Sequence, residues 1–268
     1  MTTEYAIDYK NDWYQSDKPD YKEFNENLPE YWDMVYEDRM IEIFNLNPNA
    51  KTMLEVGSGM GRAMKQFKKW GFEVMGIEPS QYASNLAKAE GLDIINDYFD
   101  YVKVDHKFDV IYFEQVLSHI PDINKALTKA KSMLSPGGLI VFEEPNDYSP
   151  LQFMVNKGEY WVTKDHVNYL NFSTIDGILN HLGLVAVKKT ATYPMEFFEL
   201  MGEPYIGNDD AGRKVHEKRY LLLSSMGRSM RQQFESKCAE MGIGRDMVIY
   251  CKEKEILNTE ENLKGVIQ

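Results

Sequence analysis

The sequence predicts a doubly wound α/β fold, a mostly parallel sheet with helices on both faces. Three observations carry this. Short continuous apolar runs recur along the chain, as in strands buried on both faces. Segments with helical apolar spacing fill the gaps between them, which is the pattern of βαβ units. One strand-like run passes straight into a glycine-rich turn and then a helix.

The elements follow in order. Nine aromatics lie within the first 36 residues: Tyr5, Tyr9, Trp13, Tyr14, Tyr21, Phe24, Tyr31, Trp32 and Tyr36. That is too aromatic for a disordered tail. It predicts short helices lying on the body as a packing arm or a lid. From Trp32 to Phe44 the spacing is helical, with Pro48 just beyond, so residues 1–48 read as a helical cap. Strands are then expected at Met53–Val56, Glu73–Ile77, Asp93–Ile95, Phe108–Phe113 and Leu139–Phe142. Helices are expected at Met60–Trp70, Ser80–Glu90 and Asp122–Leu134. Ser173 and Asp176 read as a capping box before a helix that carries Ile175, Ile178, Leu179 and Leu182 and ends at Gly183. Leu184–Val187 and Met247–Cys251 complete seven strands. Residues 49–192 thus form the α/β core, 193–245 a helical insertion, and 246–268 the last core strand with a polar tail. In the insertion Met226, Met230, Phe234 and Cys238 recur every four residues, which suggests one helical stripe.

Composition excludes several classes. The charge sum is −12, which argues against binding along a nucleic-acid backbone or to an anionic membrane surface. The longest apolar run, Met247 to Cys251, is far short of the about 20 residues a membrane helix needs. The first residues show neither a basic nor an apolar leader segment, and the two cysteines, Cys238 and Cys251, have no metal or disulfide spacing. The expectation is a cytoplasmic protein.

The strongest local signal is Leu54-Glu-Val-Gly-Ser-Gly-Met-Gly-Arg62. Glycines at 57, 59 and 61 let the backbone turn tightly and approach a ligand. Glu78 lies 21 positions past Gly57, after the second strand, where a carboxylate accepts hydrogen bonds from ribose hydroxyls. The dinucleotide fingerprint wants a small residue at position 62, and Arg62 is bulky. Glu55, Glu78, Asp97 and Glu114 fall at or near successive strand ends; they suit a sulfonium and an ammonium better than a pyrophosphate.

These motifs, with Gly76-Ile-Glu-Pro-Ser80, the run from Phe108 to Pro121, and Leu134-Ser-Pro-Gly-Gly-Leu-Ile-Val141, resemble the class I S-adenosylmethionine (SAM)-dependent methyltransferases. The resemblance spans about Thr52 to Gly183. It implies a seven-stranded sheet with one antiparallel strand, here the one at Met247. It implies SAM as cofactor, held by Glu55, Gly57, Ser58, Gly59, Glu78, Pro79, Asp97, Tyr98 and Glu114. Gly57 and Gly59 would meet the methionine part, Glu78 the ribose, Asp97 and Tyr98 the adenine, and Glu114 the amino or sulfonium side. The small-molecule branches carry a segment like Asp165-His-Val-Asn-Tyr-Leu-Asn-Phe172, whose histidine faces the acceptor in several of them. Residues 192–219 resemble, more loosely, methyltransferases among bacterial surface-polysaccharide enzymes.

His166 is therefore the first candidate for a general base and His119 the second, each weighed against a role in holding its loop. Glu143, Glu144 and Asp147 with His166 form an oxygen-rich set that suits Mg²⁺, but carboxylates at a strand end are more often hydrogen-bonded without metal, so no metal is expected. Gly212 to Arg219 is the one basic cluster. It reads either as a solvated helix face or as a phosphate site in which His216 and Arg219 meet the acceptor, while Tyr169, in the segment around His166, is expected to bind the acceptor as well. The expected reaction is O-methylation of a small polar acceptor, a sugar or nucleotide-linked sugar first. N- or C-methylation, and a non-catalytic SAM-binding protein, stay open; a dehydrogenase ranks behind both. The insertion could serve a homo-oligomer interface.

Overall fold

A computed structural model describes residues 4–10, 28–155 and 163–254. Trp13, Tyr14, Tyr21 and Phe24 of the expected cap, and the tail beyond 254, lie outside the described residues. Seven strands form one sheet in the order β3-β2-β1-β4-β5-β7-β6. They are β1 Thr52–Val56, β2 Glu73–Ile77, β3 Ile94–Ile95, β4 Phe108–Glu114, β5 Leu134–Pro145, β6 Leu184–Ala191 and β7 Asp246–Glu253. Strands β1 to β5 pair in parallel, and β7 runs antiparallel to both β5 and β6. The antiparallel strand is thus the one at Met247, as expected.

The helices are α1 Pro29–Leu46, α2 Arg62–Lys69, α3 Gln81–Ala89, α4 Ile123–Ser132, α5 Pro150–Val155, α6 Ile175–His181, α7 Glu196–Leu200, α8 Asp209–Ser225 and α9 Arg228–Met241. Each sheet face buries its own apolar set. On one side α1 and α2 set Tyr36, Met40, Ile43 and Phe67 against Met53, Val110, Tyr112, Leu139, Val141, Val248 and Tyr250. On the other α4 and α6 set Ile123, Leu127, Ile175 and Leu179 against Leu54, Ile111, Phe113, Ile140 and Ile249. Because successive side chains alternate across a strand, Glu114 and Glu143 share the α1 face, in register, whereas Glu144 lies on the α4 face.

Local chemistry sets the helix starts. Ser80 and Asp122 cap α3 and α4 by accepting from the Ala83 and Lys125 amides. The capping box at Ser173 does not form. Instead the Asn171 side chain accepts from the Ser173 and Thr174 amides, and α6 starts without a side-chain cap. Asparagine reaches its own backbone two or three residues on, so it outcompetes the serine. The four-residue stripe also fails. The helix breaks at Met226–Gly227, Met230 is exposed, and the buried face of α9 is Arg231, Glu235, Cys238 and Ala239. A four-residue repeat drifts about 40° per step against a 3.6-residue turn, so Met230 sits about 80° round the helix from Cys238, at the edge of the buried face.

Gly61 tests the packing of the glycine turn. It has φ +76°, and a β-carbon there would stand 2.1 Å from Leu92 Cδ1. Gly71, at φ +89°, has open space around it. Gly61→Ala should cost about 2–4 kcal/mol by urea denaturation, from left-handed strain plus overpacking, and Gly71→Ala about 1 kcal/mol. Equal losses would mean that Leu92 moves aside freely.

Candidate active site

The carboxyl ends of β1, β2, β4 and β5 share one edge of the sheet, where an α/β fold leaves room for ligands. The glycine turn lies flat on it. The amides of Gly57 and Ser58 both donate to the Ile77 carbonyl, at 2.7 and 3.1 Å. Gly57 and Gly59 have φ of +71° and +53°. A β-carbon on Gly57 would meet Val116 Cγ2 at 2.4 Å, and one on Gly76 would meet Ser58 Oγ at 2.7 Å, so the turn and both strands touch backbone to side chain. Ser58 is buried, and its hydroxyl has no hydrogen-bond partner among the described residues.

Glu78 stands beside the turn. Its two oxygens accept one amide each, from Gly59 and from Ser80, both at 2.8 Å. Each oxygen keeps a lone pair for another donor. Burial pushes the carboxyl up to about 7, against the pull of those two amides. Asn96 donates to the carbonyls of Glu78 and Pro79 and holds this loop. Glu55 is turned the other way. It is buried and accepts from the Met64 amide in the first turn of α2, which makes it a helix cap reaching from the strand below. Glu114 accepts from Tyr36 Oη at 2.8 Å and pairs with Arg62 at 2.8 Å. The Arg62 guanidinium in turn lies 3.6 Å from the centre of the Trp32 ring. Helix α1 thereby clamps the far end of the glycine turn.

Two of the three carboxylates considered for a metal are committed elsewhere, and the third, Asp147, is buried with its Oδ2 unbonded among the described residues. Glu143 pairs with the buried Arg39 at 2.9 Å. Glu144 is buried and accepts from the amides of Val116, Leu117 and Ser118. It thus fixes the loop that presents His119. Among the described residues no group of three or more His, Cys, Asp or Glu side chains is placed to hold a metal ion.

His119 and His166 come together, their ring centres 4.8 Å apart and nearly perpendicular. The backbone holds them there. The Val167 and Asn168 amides donate to the Ser118 carbonyl, and Asn168 Nδ2 donates to the carbonyls of Leu117 and Ile120. His119 Nδ1 lies 3.0 Å from the Asp165 carbonyl and 2.8 Å from Tyr9 Oη. Tyr169 follows, its ring 6.2 Å from His166.

Residues 4–10 link the two halves of this edge, which the sequence left undecided between lid and packing arm. Tyr5 stacks on Tyr98 at 4.4 Å, Asp8 accepts from Tyr98 Oη, and Lys10 pairs with Asp97 at 2.7 Å. The Lys10 hydrogen bond holds the Asp97 carboxyl below its ordinary value. One residue earlier, Tyr9 reaches His119.

His216 and Arg219 belong to a separate cluster. Arg219 is buried, its guanidinium 4.6 Å from the centre of the Tyr31 ring. Burial, aided by Arg219, pushes the His216 imidazole down to about 3, so it is neutral at pH 7. Leu28, Tyr31, Trp32, Arg213 and Glu217 complete a pocket of about 50 Å³, which is room for one or two waters. Arg213 pairs with Asp210 and Lys218 with Glu203, so two of the cluster's basic residues are engaged on the surface. No helix among the described residues is long and apolar enough to cross a membrane.

Three comparisons bear on this site. The profile of a family described as a methyltransferase domain matches residues 24–189. A ubiquinone biosynthesis O-methyltransferase of Nitrobacter winogradskyi is 24% identical over 201 residues, covering 62% of this chain and 76% of that protein. Its namesake from Rhodopseudomonas palustris is 26% identical over 142 residues, so the match spans about half of either chain, 48% and 55%. Among solved structures, the plantazolicin methyltransferase BpumL with SAH superposes with a TM-score of 0.59 at 13% identity, over 91% of this chain and 93% of that one. That likeness is one of fold.

Proposed function

The chain belongs to the methyltransferase-domain family and is a SAM-dependent methyltransferase, and from that premise we propose that it methylates a hydroxyl of a small acceptor, with a sugar or nucleotide-linked sugar as the first choice. The observation that carries the hydroxyl reading is the His119–His166 pair, held at the strand edge by Glu144, Asn168 and the Asp165 carbonyl.

The residues fit the cofactor. Gly57, Ser58 and Gly59 leave a backbone surface without side-chain bulk, and the Ser58 hydroxyl is free to bond a ligand. The open lone pairs of Glu78 suit two vicinal hydroxyls. Asp97 and Tyr98 line the next strand end, and Pro79 with Asn96 fixes the turn between. In this reading Glu55 and Glu114 act from behind, by holding α2 and Arg62, and burial pushes the Glu55 carboxyl well above the usual carboxylate range, so it contributes as a hydrogen-bonding group and not as a charge. When bound, SAM supplies an electrophilic methyl group on a sulfonium. The protein's share is to align the acceptor oxygen and to take its proton. A carbonyl oxygen can only accept, so the contact with Asp165 puts the proton of His119 on Nδ1 and fixes that ring beside His166, the residue read as the base. Tyr9 then closes over the pair from the N-terminal side and helps exclude water.

The nucleotide-linked sugar would need Arg219 and His216 to open toward the acceptor from the small, separate pocket that now encloses them. Arg219→Ala should raise the KM of a phosphorylated acceptor about 10-fold or more and leave SAM affinity unchanged, as for a lost charge-assisted bond. An unchanged KM with a lowered Tm would make Arg219 a packing partner of Tyr31 and remove the phosphate reading. The direct test of the proposal is transfer from methyl-labelled SAM to a panel of sugars, phenols, amines and carbon acids. Label on nitrogen or carbon acceptors alone would overturn it. Tyr9 also gives a second reading its one support, because an aromatic ring standing on His119 is what a SAM-binding protein without turnover would show. SAM binding with no transfer to any acceptor would favour that reading.

A further inference from the structure

We propose that Tyr148 is an acceptor-binding residue, the platform on which the ring of the acceptor stacks while its hydroxyl reaches His166. The proposal rests on the reading that His166 and His119 mark the reacting end.

Tyr148 has φ +56°, a left-handed conformation that costs any residue with a β-carbon. The loop secures it there. Its amide donates to Gln152 Oε1 at 2.7 Å, Gln152 Nε2 donates to the Asn146 carbonyl, and Asn146 Nδ2 donates to the carbonyls of Gly242 and Gly244. Asp147 and Ser149, on either side, are each 2% exposed, but Tyr148 is 49% exposed. A strained backbone on a buried pedestal, its own amide held by Gln152, thus presents an aromatic ring to the outside. Packing does not require a tyrosine there, and glycine would meet the backbone need without strain.

The ring also has a direction. Tyr148 lies 5.9 Å from Tyr169, Tyr169 lies 6.2 Å from His166, and His166 lies 4.8 Å from His119. On the outer side Phe153 stands 6.5 Å from Tyr148 and is 69% exposed, with Met154 beside it at 65%. An aromatic track therefore leads from the histidine pair to the surface. Gln152 and Asn146 turn their polar groups into the loop, so the track itself offers ring faces. That suits a ligand ring with an apolar face. A phenolic ring and a pyranose both present one, and the test separates them.

The experiment titrates the protein, saturated with S-adenosylhomocysteine, with catechol and with methyl α-glucopyranoside, followed by NMR. At least one probe should bind, and Tyr148→Ala should weaken it about tenfold, whereas Tyr148→Phe keeps it. Tyr148→Gly should lose the probe as alanine does yet melt about 1–3 °C above it, because glycine accepts the positive φ. The probe retained tells which ring the platform takes. Binding of neither probe, or binding to Tyr148→Ala as tight as to the wild type, overturns the proposal. If ring binding depends on Tyr148 while His166→Ala turns over at full rate, the platform stands and the histidine reading falls.

Discussion

His166→Ala should cut turnover on a hydroxyl acceptor by about 10²–10⁴-fold and leave SAM affinity within error, the range for removal of a positioned base. The effect divides between kcat and KM in an informative way. A base acts only as the oxygen attacks, so its loss lowers kcat and leaves acceptor binding in place. His119→Ala should do less, because its Nδ1 is already tied to Asp165 and Tyr9, and part of its work is to hold the segment that carries His166. Steady-state kinetics with a calorimetric SAM titration on each variant decides this. If His166→Ala loses SAM binding and turnover in equal measure, the histidine holds the loop. If it loses neither, the acceptor atom brings its own lone pair and needs no base, which is the signature of an amine.

Glu78→Ala should weaken SAM by about 1.5–3 kcal/mol, roughly 10–150-fold, as expected when charge-assisted bonds to hydroxyls are lost. NAD should not bind the wild type at all; NAD binding without SAM binding would end the cofactor assignment. A pH series adds a second readout. Burial raises the folded carboxyl to about 7, against the ordinary 4.5. Between those values the folded state holds a proton that the unfolded chain has lost, so this group's share of stability is present below pH 4.5 and is lost as pH rises to 7. Ligand hydroxyls want the opposite state, the ionised carboxylate. SAM affinity should therefore be flat above about pH 7 and fall as pH drops below it. Glu78→Gln should bind weakly and lose that slope. A slope that survives in Glu78→Gln would place the titrating group elsewhere.

What the sequence revealed about this edge was what is written locally. The glycine turn, Glu78 and the three strands around them occupy a few dozen consecutive residues, and each element is specified by its own spacing. β2 matched residue for residue, and β1, β3 and β4 matched within one residue at an end. The partners of the side chains were another matter. Glu114 meets Tyr36 across 78 positions, Tyr9 meets His119 across 110, and Arg231 meets Asp38 across 193. No periodicity encodes such pairings, because they depend on which helix happens to cross which strand end. Helix α1 shows the same limit. Its apolar spacing accounts for the burial of Met40, but Asp38 and Arg39 are buried beside it, since α9 covers the polar flank and supplies Arg231 and Glu235. Glu144 drew attention as a metal ligand, and its three loop amides were invisible because the loop's shape is not in the pattern.

The placement of β7 has a consequence for how the chain assembles as it is made. β7 lies between β5 and β6, although some fifty residues, α7, α8 and α9 among them, separate it from β6 in sequence. When β6 leaves the ribosome its neighbour does not yet exist, and its edge, with Val185 and Val187 facing solvent, stands open. The sheet up to β5 can condense early from near-sequential pairings, but its last two strands must wait for residues 246–253. Helices α8 and α9 are synthesised during that wait. Completion of the sheet is therefore a single late zipping event that draws on contacts more than a hundred residues apart, Ile140 with Cys251 among them. The vulnerable species is the chain made only as far as α9, with β5 and β6 both lacking the strand that pairs between them.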